Sequence, residues 1–254
     1  MEFTKKDLGQ NFLKDRQIVQ KMVGALNLTS SDFVLEVGPG AGAVTRCLLE
    51  IPDIKVVAVE IDPALVEALK KSFGKRTGFQ VINTDILDYL AVTNVENCKI
   101  VGSLPYNITS PLLHLIIEKG IRPTTCIFLV QKEVGEKICS GAPEASYMSS
   151  FVQTFFSPEY ITTVEKTLFN PIPKVDGAII KLVRKEGTES LYRNVSEYEK
   201  FLHRAYSKPR KMLNKVFTGE ELEKIGMDGS LRAQNIDPEK WVKAFTSLEF
   251  PRSG

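Results

Sequence analysis

A glycine-rich turn and two acidic residues have the types and spacing of a nucleoside-binding site. E-V-G-P-G-A-G at 36–42 follows an apolar run, and its glycines allow a sharp turn and close approach of a ligand to the main chain. Glu60, 22 residues after Gly38, ends a second apolar run, where a carboxylate can accept ribose hydroxyls. Asp85 ends a third, where its carboxylate could accept a hydrogen bond from an adenine amino group. By itself, the glycine-rich loop is consistent with a binding site for NAD, a binding site for another nucleoside ligand, or a turn that binds no ligand.

A fourth apolar run ends in S-L-P-Y at 103–106, followed by Asn107. This segment resembles the Asn/Asp-Pro-Pro-Tyr and Asn-Leu-Pro-Tyr boxes of methyltransferases that act on the amino groups of bases. Adenine N6 is a poor nucleophile because its lone pair is delocalised into the ring. Such a site therefore needs acceptors for the two N–H bonds and an aromatic side chain that stacks on the extruded base. The alternative is a Pro-Tyr turn that only packs the edge of a sheet.

A parallel sheet would bring these residues together. The sequence predicts strands at 33–38, 55–62, 79–85, 99–106 and 124–132. Helical patterns lie between them at 43–51, 63–73 and 108–120. This alternation predicts an α/β fold with a Rossmann-like, doubly wound, mostly parallel sheet. Runs at 159–167 and 177–185 predict a late pair of strands, of which one can be antiparallel.

The pattern changes after Lys185. The polar stretch 185–194 precedes short amphipathic helical patterns at 196–207, 209–217, 220–226 and 237–248. We therefore expect two domains, a large α/β domain at 1–185 and a small all-helical domain at 186–254.

Composition narrows the class of protein. The 254 residues carry 33 basic and 31 acidic side chains, so any nucleic-acid surface must come from local clustering of charge. Four cysteines without C-x-x-C spacing indicate reduced thiols in a cytoplasmic protein. Two histidines without an H-E-x-x-H motif make a metal site unexpected. The N-terminus lacks a secretory signal, and apolar runs fall short of the roughly 20 residues that span a bilayer, so no membrane partner is expected.

Eight segments follow one another along the chain in a recognisable order. They are G-Q-N-F-L at 9–13, E-V-G-P-G at 36–40, E-I-D at 60–62, Asp85, L-P-Y-N-I at 104–108, Q-K-E-V at 131–134, F-N-P-I-P-K-V-D at 169–176 and L-R-A-Q-N-I-D at 231–237. Together they resemble the small-subunit ribosomal RNA adenine N6-dimethyltransferases of the KsgA type, essentially from end to end. The last segment favours that family over its relatives that methylate large-subunit RNA.

The resemblance implies a class I methyltransferase fold and the cofactor S-adenosylmethionine. It assigns cofactor contacts to the N-terminal segment, the glycine loop, the acids and their apolar neighbours, and the strand-end serine: Asn11, Leu13, Gly38, Gly40, Glu60, Ile61, Asp85, Ile86 and Ser103. Within this set, Glu60 matches the ribose ligand and Asp85 the adenine-amine ligand, while Ile61 and Ile86 flank the adenine ring.

The resemblance also implies a base-binding set. Ser103 and the carbonyl of Leu104 would accept hydrogen bonds from the amine, and Tyr106 and Phe169 would sandwich the target base. One position departs from the family pattern, because Ser103 stands where the family has Asn. A hydroxyl still accepts a hydrogen bond but reaches less far than a carboxamide.

The activity implied is dimethylation at N6 of two adjacent adenines in the 3′-terminal hairpin of small-subunit rRNA, coupled to maturation of the small subunit. The partner would be immature small-subunit rRNA or its particle, and a monomer is expected. Because of Ser103, a second hypothesis is a ribosome-assembly binding factor with this fold and little or no methylation activity. A third is an NAD-dependent oxidoreductase, against which the Pro-Tyr box and the scarcity of histidine both argue.

A basic segment in the helical part is a candidate RNA surface. Between 203 and 215 the chain has five cations and no acid: Arg204, Lys208, Arg210, Lys211 and Lys215. Cations at this density suit phosphate contacts, although a charge run can also be only a solvated face. In context the segment resembles the family's C-terminal basic helix that docks on rRNA.

Overall fold

A computed structural model of the chain describes residues 11–93, 95–105 and 107–249. The strands in these ranges are β1 (Phe12–Leu13), β2 (Phe33–Val37), β3 (Lys55–Glu60), β4 (Phe79–Asn83), β5 (Lys99–Ser103), β6 (Thr125–Gln131), β7 (Phe156–Val164), β8 (Phe169–Asn170) and β9 (Gly177–Arg184). The α-helices are α1 (Arg16–Ala25), α2 (Ala43–Leu48), α3 (Pro63–Phe73), α4 (Ile86–Val92), α5 (Thr109–Glu118), α6 (Lys132–Cys139), α7 (Tyr147–Phe155), α8 (Glu189–Arg193), α9 (Val195–Ala205), α10 (Gly219–Ile225) and α11 (Pro238–Glu249). Short 3₁₀ helices cover Lys166–Leu168, Leu213–Lys215 and Ala233–Asn235.

Seven of the described strands form the central sheet, in the order β4-β3-β2-β5-β6-β9-β7. The five strands from β4 to β6 pair in parallel, and β9 runs antiparallel to β6. The chain moves outward from β2 through β3 to β4 and then returns to β5 on the other side of β2. Ligands of open α/β sheets bind at the carboxyl ends of strands beside such a reversal. The predicted doubly wound, mostly parallel sheet with a C-terminal helical region is confirmed.

Local sequence explains how strands pass into helices at this edge. Val34 and Leu35 on adjacent positions of β2 are both buried, as expected for a strand covered on both faces. After β3, Asp62 accepts a hydrogen bond from the N–H of Ala64 and caps α3, whose first residue is Pro63. After β4, Asp85 caps α4 in the same way. The caps hold the strand ends and the following helices at one sheet edge.

Some elements differ from those the sequence predicts. Helices α1, α4, α6 and α7 and the small antiparallel sheet of β1 and β8 have no counterpart among the predicted elements. The predicted helix at 209–217 is wrong, because within that range the structure has only the 3₁₀ turn Leu213–Lys215. The N–H of Leu213 donates to Leu231 O at 2.8 Å, and Met212 forms a β-bridge with Arg232. The backbone groups of Met212 and Leu213 therefore pair with a later segment of the chain instead of forming a local helix.

The chain divides into two compact units. The first comprises Met1–Gly135 and Glu159–Arg184, and the second Glu136–Pro158 and Lys185–Gly254. The predicted domain boundary at Lys185 differs from this division in one respect. It assigns the segment 136–158 to the α/β domain, whereas the structure groups that segment with the second unit.

Polar contacts explain why that segment groups with the helices. Within the second unit, the Thr154 hydroxyl in α7 lies 2.8 Å from Tyr198 OH, and the Ser150 hydroxyl lies 2.7 Å from Tyr206 OH. Tyr198 is fully buried, as is Trp241, so these bonds are sheltered from water. Nothing in the periodicity of 136–158 indicates partners so distant in sequence.

Candidate active site

A cavity of about 400 Å³ lies at the carboxyl ends of β2, β3 and β5 in the first unit. It is lined by every predicted cofactor and base residue that the structure describes: Asn11, Leu13, Gly38, Gly40, Glu60, Ile61, Asp85, Ile86, Ser103, Leu104 and Phe169. Tyr106 lies outside the described residues. The fold thus collects side chains from distant parts of the sequence into one concave site.

The glycine loop needs its glycines for two separate reasons. Gly38 and Gly40 have φ angles of +62° and +56°, a region that other L-residues adopt only with strain. A Cβ on Gly40 would in addition lie 3.0 Å from the Phe12 ring. The loop therefore presents bare main chain to the cavity, as the sequence pattern predicts.

Glu60 is held rigidly at the end of β3. Its side chain is buried, Oε2 accepts the N–H of Gly40 at 3.0 Å, and Oε1 accepts the N–H of Asp62 at 3.0 Å. Burial raises the pKa of the Glu60 carboxyl, although these backbone hydrogen bonds act in the opposite direction. Since each carboxylate oxygen can accept more than one hydrogen bond, Glu60 can both fix the glycine loop and bind ligand hydroxyls.

Asp85 and Ile86 lie at the next strand end. Asp85 Oδ1 accepts the N–H of Leu87 at 2.7 Å as the cap of α4, so its second oxygen is the one suited to a ligand amine. Ile86 is buried, and Ile61 lines the cavity from the end of β3. Two apolar side chains beside a carboxylate match the needs of a flat base with an exocyclic amine.

Ser103 and Leu104 lie where β5 ends. The N–H of Leu104 donates to Leu129 O at 2.9 Å, which continues the pairing with β6 one residue past the strand. Asn107 also lines the cavity, a few residues beyond Ser103. The strand end therefore offers a hydroxyl, a main-chain segment and a carboxamide to a group that enters here.

Phe169 reaches the cavity through the small second sheet. Leu13 pairs with Phe169 and Phe12 with Asn170, and the N–H of Lys14 donates to Leu168 O at 3.0 Å. This pairing joins the N-terminal segment that holds Asn11 to the late segment that holds Phe169. Phe169 itself is buried while lining the cavity.

One buried acid at the cavity has no role in the sequence-based prediction. Glu36 is the first residue of the E-V-G-P-G motif, it lines the cavity, and only 1% of its surface is exposed. Thr45 Oγ1 donates to its Oε2 at 2.7 Å. A glutamate inside an otherwise apolar strand was the sequence signal that could have identified it.

Comparison with known proteins decides the family. The model described as "Ribosomal RNA adenine dimethylase" matches residues 1–249. The chain belongs to the ribosomal RNA adenine dimethylase family. Proteins named ribosomal RNA small subunit methyltransferase A are similar over nearly their full length. That of Sulfurihydrogenibium sp. (strain YO3AOP1) is 35% identical over 96% of both chains, and that of Fusobacterium nucleatum subsp. nucleatum is 35% identical over 98% of this chain and 99% of its own.

Solved structures of the dimethylase fold agree. A dimethyladenosine transferase from Plasmodium falciparum matches with a TM-score of 0.81 and 26% identity, covering 95% of this chain and 98% of its own. The 23S rRNA methyltransferase ErmE matches with a TM-score of 0.72 and 26% identity, covering 94% and 100%. The resemblance seen in the sequence is confirmed, and the NAD-dependent oxidoreductase hypothesis finds no support.

The predicted RNA-binding cations of this dimethylase lie in the second unit and differ in their surroundings. Arg204 forms a bidentate pair with Glu221, at 2.7 and 2.8 Å, and its guanidinium lies over the Phe217 ring. This pair, together with the Thr218 cap, lowers the pKa of Glu221 to about 2. The other four side chains are exposed and have no acidic partner among the described residues: Lys208, Arg210, Lys211 and Lys215. Phosphate contact is therefore better suited to these four than to Arg204.

Neither a metal-binding cluster nor a membrane-spanning helix occurs among the described residues. No three His, Cys, Asp or Glu side chains in those ranges are grouped so as to hold a metal ion. None of the described helices combines the length and apolar character required to cross a membrane.

Proposed function

We propose that this protein transfers methyl groups from S-adenosylmethionine to the N6 amines of two adjacent adenines in the 3′-terminal hairpin of small-subunit rRNA. The reaction would be a step in small-subunit maturation. The observation that carries the proposal is the one cavity that collects the glycine loop, two strand-end acids, Ser103, Leu104 and Phe169. The curated relatives named for small-subunit rRNA methylation support the choice of RNA.

The cofactor half of the site fits S-adenosylmethionine, which when bound supplies an activated methyl group on a sulfonium. Glu60 accepts the ribose hydroxyls with oxygens already oriented by two backbone N–H groups. Asp85 accepts a hydrogen bond from the adenine amino group, and Ile61 and Ile86 flank the adenine ring. Gly38 and Gly40 let the main chain approach the methionine part, where any side chain would intrude. The bound orientation is thus set before the reaction, which lowers the entropic part of the barrier.

The base half of the site orients the amine. Ser103 Oγ and the Leu104 carbonyl accept hydrogen bonds from its N–H groups, so the lone pair is directed at the methyl group. Phe169 stacks on one face of the extruded base, and the family resemblance assigns Tyr106, which lies outside the described residues, to the same base, each contact worth roughly 1–3 kcal/mol. Catalysis here comes from position and hydrogen bonding rather than from a covalent intermediate on the enzyme.

The direct test is methylation of an unmethylated small-subunit particle. Mass spectrometry of its rRNA, after incubation with this protein and S-adenosylmethionine, should show N6-dimethylation of two adjacent adenines in the 3′-terminal hairpin. Unmodified adenines, in a particle that a related enzyme does methylate, would contradict the proposal.

The departure at Ser103 gives a prediction that separates an enzyme from an assembly-binding factor. We expect Ser103→Asn to raise the single-turnover methylation rate by at most about tenfold, or ~1.4 kcal/mol of barrier. The reason is that the Leu104 carbonyl and the aromatic contacts do most of the positioning, and Asn107 brings a carboxamide to the same cavity. Single-turnover rates at saturating RNA and cofactor measure this.

Ser103→Ala is the matched control, because it removes the hydroxyl without adding reach. If the hydroxyl is one weak acceptor, Ser103→Ala should lower the rate by no more than about tenfold. An increase of about a hundredfold or more in Ser103→Asn would instead show that the natural protein is nearly inert, and would favour the assembly-factor hypothesis.

RNA binding should depend steeply on salt, and the exposed cations should account for part of the slope. Replacing Arg210 and Lys211 together by alanine should reduce the slope of log affinity against log salt by roughly one to two units. The control is the double change Lys224→Ala and Lys240→Ala, which removes equal charge from exposed positions outside the cluster. If the two double variants gave equal slopes, the basic cluster would be a solvated face that makes no special contribution to RNA binding. Affinity for S-adenosylmethionine should be unchanged in both.

A further inference from the structure

Three aromatic rings of the second unit form a column that ends at the surface. On α7, the rings of Phe151 and Tyr147 are stacked, with centroids 5.8 Å apart and planes inclined by 11°. The ring of His203, in the last turn of α9, stacks on Tyr147 with centroids 3.9 Å apart and planes inclined by 21°. Phe151 is fully buried, whereas 60% of the His203 side chain is exposed. The column therefore runs from the core to an imidazole that water reaches.

The exposed part of His203 includes a flat face. Tyr147 covers one face of the imidazole, so the large exposed fraction must include the opposite face. Because neighbouring planes in the column are close to parallel, that face is oriented for a fourth ring to continue the stack. A flat ligand can lie on it without displacing any of the three side chains.

One carboxylate holds the two outer rings by their edges. Glu199 Oε1 accepts a hydrogen bond from the Tyr147 hydroxyl at 2.8 Å and lies 3.6 Å from His203 Nε2. Both contacts are made at the rim of a ring, at a hydroxyl and at a ring nitrogen, so they leave the outer face of the imidazole open. A surface that is already held in place loses little side-chain freedom when a ligand binds.

The charge next to His203 indicates which flat group would bind. Unpaired RNA combines flat bases with phosphates, and proteins bind it by stacking bases on aromatic side chains, histidine included, beside cations that contact the backbone. The segment that follows α9 supplies such cations. Four of them are exposed: Lys208, Arg210, Lys211 and Lys215.

We propose that His203 is a stacking platform for an unpaired base of the small-subunit rRNA. This base differs from the target adenine, since His203 is not among the residues that line the cavity. The inference rests on the proposed function, from which it takes the RNA partner. It adds a base contact to a surface whose cations provide phosphate contacts.

Affinity for the unmethylated small-subunit particle tests the stack. His203→Ala should weaken binding about tenfold, because the contact between base and ring is lost. His203→Phe keeps a flat ring on Tyr147 and should bind within about twofold of the wild type. The control is His114→Ala, which removes the chain's other histidine, a partly exposed side chain on α5, and should leave the affinity unchanged.

The dependence on salt separates stacking from charge. A stacked base releases no counterions, so His203→Ala should lower the affinity by the same factor at every salt concentration. The slope of log affinity against log salt should stay at its wild-type value, in contrast to the smaller slope expected when Arg210 and Lys211 are replaced. Protein-free small-subunit rRNA should show the same ratio of affinities between wild type and His203→Ala as the particle does.

Five results would overturn the inference. Unchanged affinity in His203→Ala would show that no base rests on the ring, and a smaller salt slope in that variant would show that the imidazole contacts phosphate. Equal weakening in His203→Phe would mean that the imidazole acts by charge or hydrogen bonding. Weakening with the particle but not with protein-free rRNA would indicate a ribosomal protein as the partner. Loss of the folded state in His203→Ala, judged by the thermal unfolding midpoint, would mean that the ring serves to cover Tyr147.

Failure of the proposed function would look different. In that case the wild type would bind neither the particle nor the free rRNA, and the inference would fail with it. Tight binding of both by the wild type, together with equal affinity in His203→Ala, would overturn the stacking contact alone.

Discussion

Glu60→Ala is expected to weaken S-adenosylmethionine binding by about 1–3 kcal/mol, or roughly 5- to 150-fold. The buried ribose hydroxyls would lose their acceptor, and the glycine loop would lose the hydrogen bond that joins Gly40 N–H to Glu60 Oε2. Because the same side chain also accepts the N–H of Asp62, one substitution disturbs the ligand contact and the two segments that flank it. Calorimetric titration with S-adenosylmethionine measures the change.

Glu60→Gln tests whether both carboxylate oxygens of Glu60 are needed as acceptors. Both Glu60 oxygens accept backbone N–H groups, whereas a glutamine side chain has one acceptor atom and would place its NH₂ group against one of those donors. Glu60→Gln should therefore be almost as damaging to S-adenosylmethionine binding as Glu60→Ala.

NAD should bind neither the wild type nor the two Glu60 variants. Binding of NAD by the wild type, without binding of S-adenosylmethionine, would contradict the assignment of the cavity.

Gly102→Ala is expected to lower the free energy of unfolding by about 3 kcal/mol, at the upper end of the usual effect of overpacking. A Cβ at this position would lie 2.6 Å from Val37 O and 2.9 Å from Val37 Cβ. Gly102 pairs with Val37 across β5 and β2, so the clash is with main chain in the middle of the sheet. The strands must separate at the point where the glycine loop and Ser103 begin.

Gly24→Ala is the matched control for this prediction. Gly24 lies in α1, and nothing lies within 4 Å of a Cβ added there. Alanine should stabilise the helix by up to about 1 kcal/mol, because glycine loses more backbone entropy. Urea unfolding without ligand compares the three proteins. Equal stability of Gly102→Ala and the wild type would show that β2 and β5 can separate without loss.

Much of the site follows from the sequence because of how parallel sheets are built. Each parallel strand ends at the same edge, so residues at successive strand ends meet there whatever their separation along the chain. Gly38, Glu60, Asp85 and Ser103 all stand at such ends, and all line one cavity. The strand and helix periods that predict this fold are local properties of the sequence, which is why they can be read without coordinates.

Contacts between short or irregular segments were decided only by the tertiary structure. The pairing of Leu13 with Phe169 joins two-residue strands, too short for any period to show. The segment 136–158 groups with the helical unit through side-chain hydrogen bonds such as that between Thr154 and Tyr198, and hydroxyl partners leave no mark on hydrophobic spacing.

For charged side chains too, the sequence shows which residues are present, and the tertiary structure decides which of them have partners. The sequence indicates a basic cluster, but the bidentate pair with Glu221 separates Arg204 from the four exposed cations. It likewise shows an acid in E-V-G-P-G, but the unpartnered Oε1 of Glu36 is visible only once the strands are packed. Residue type and spacing determine which strand end a group occupies. Whether its hydrogen-bonding capacity is used within the fold or left for a ligand depends on neighbours that are distant in sequence.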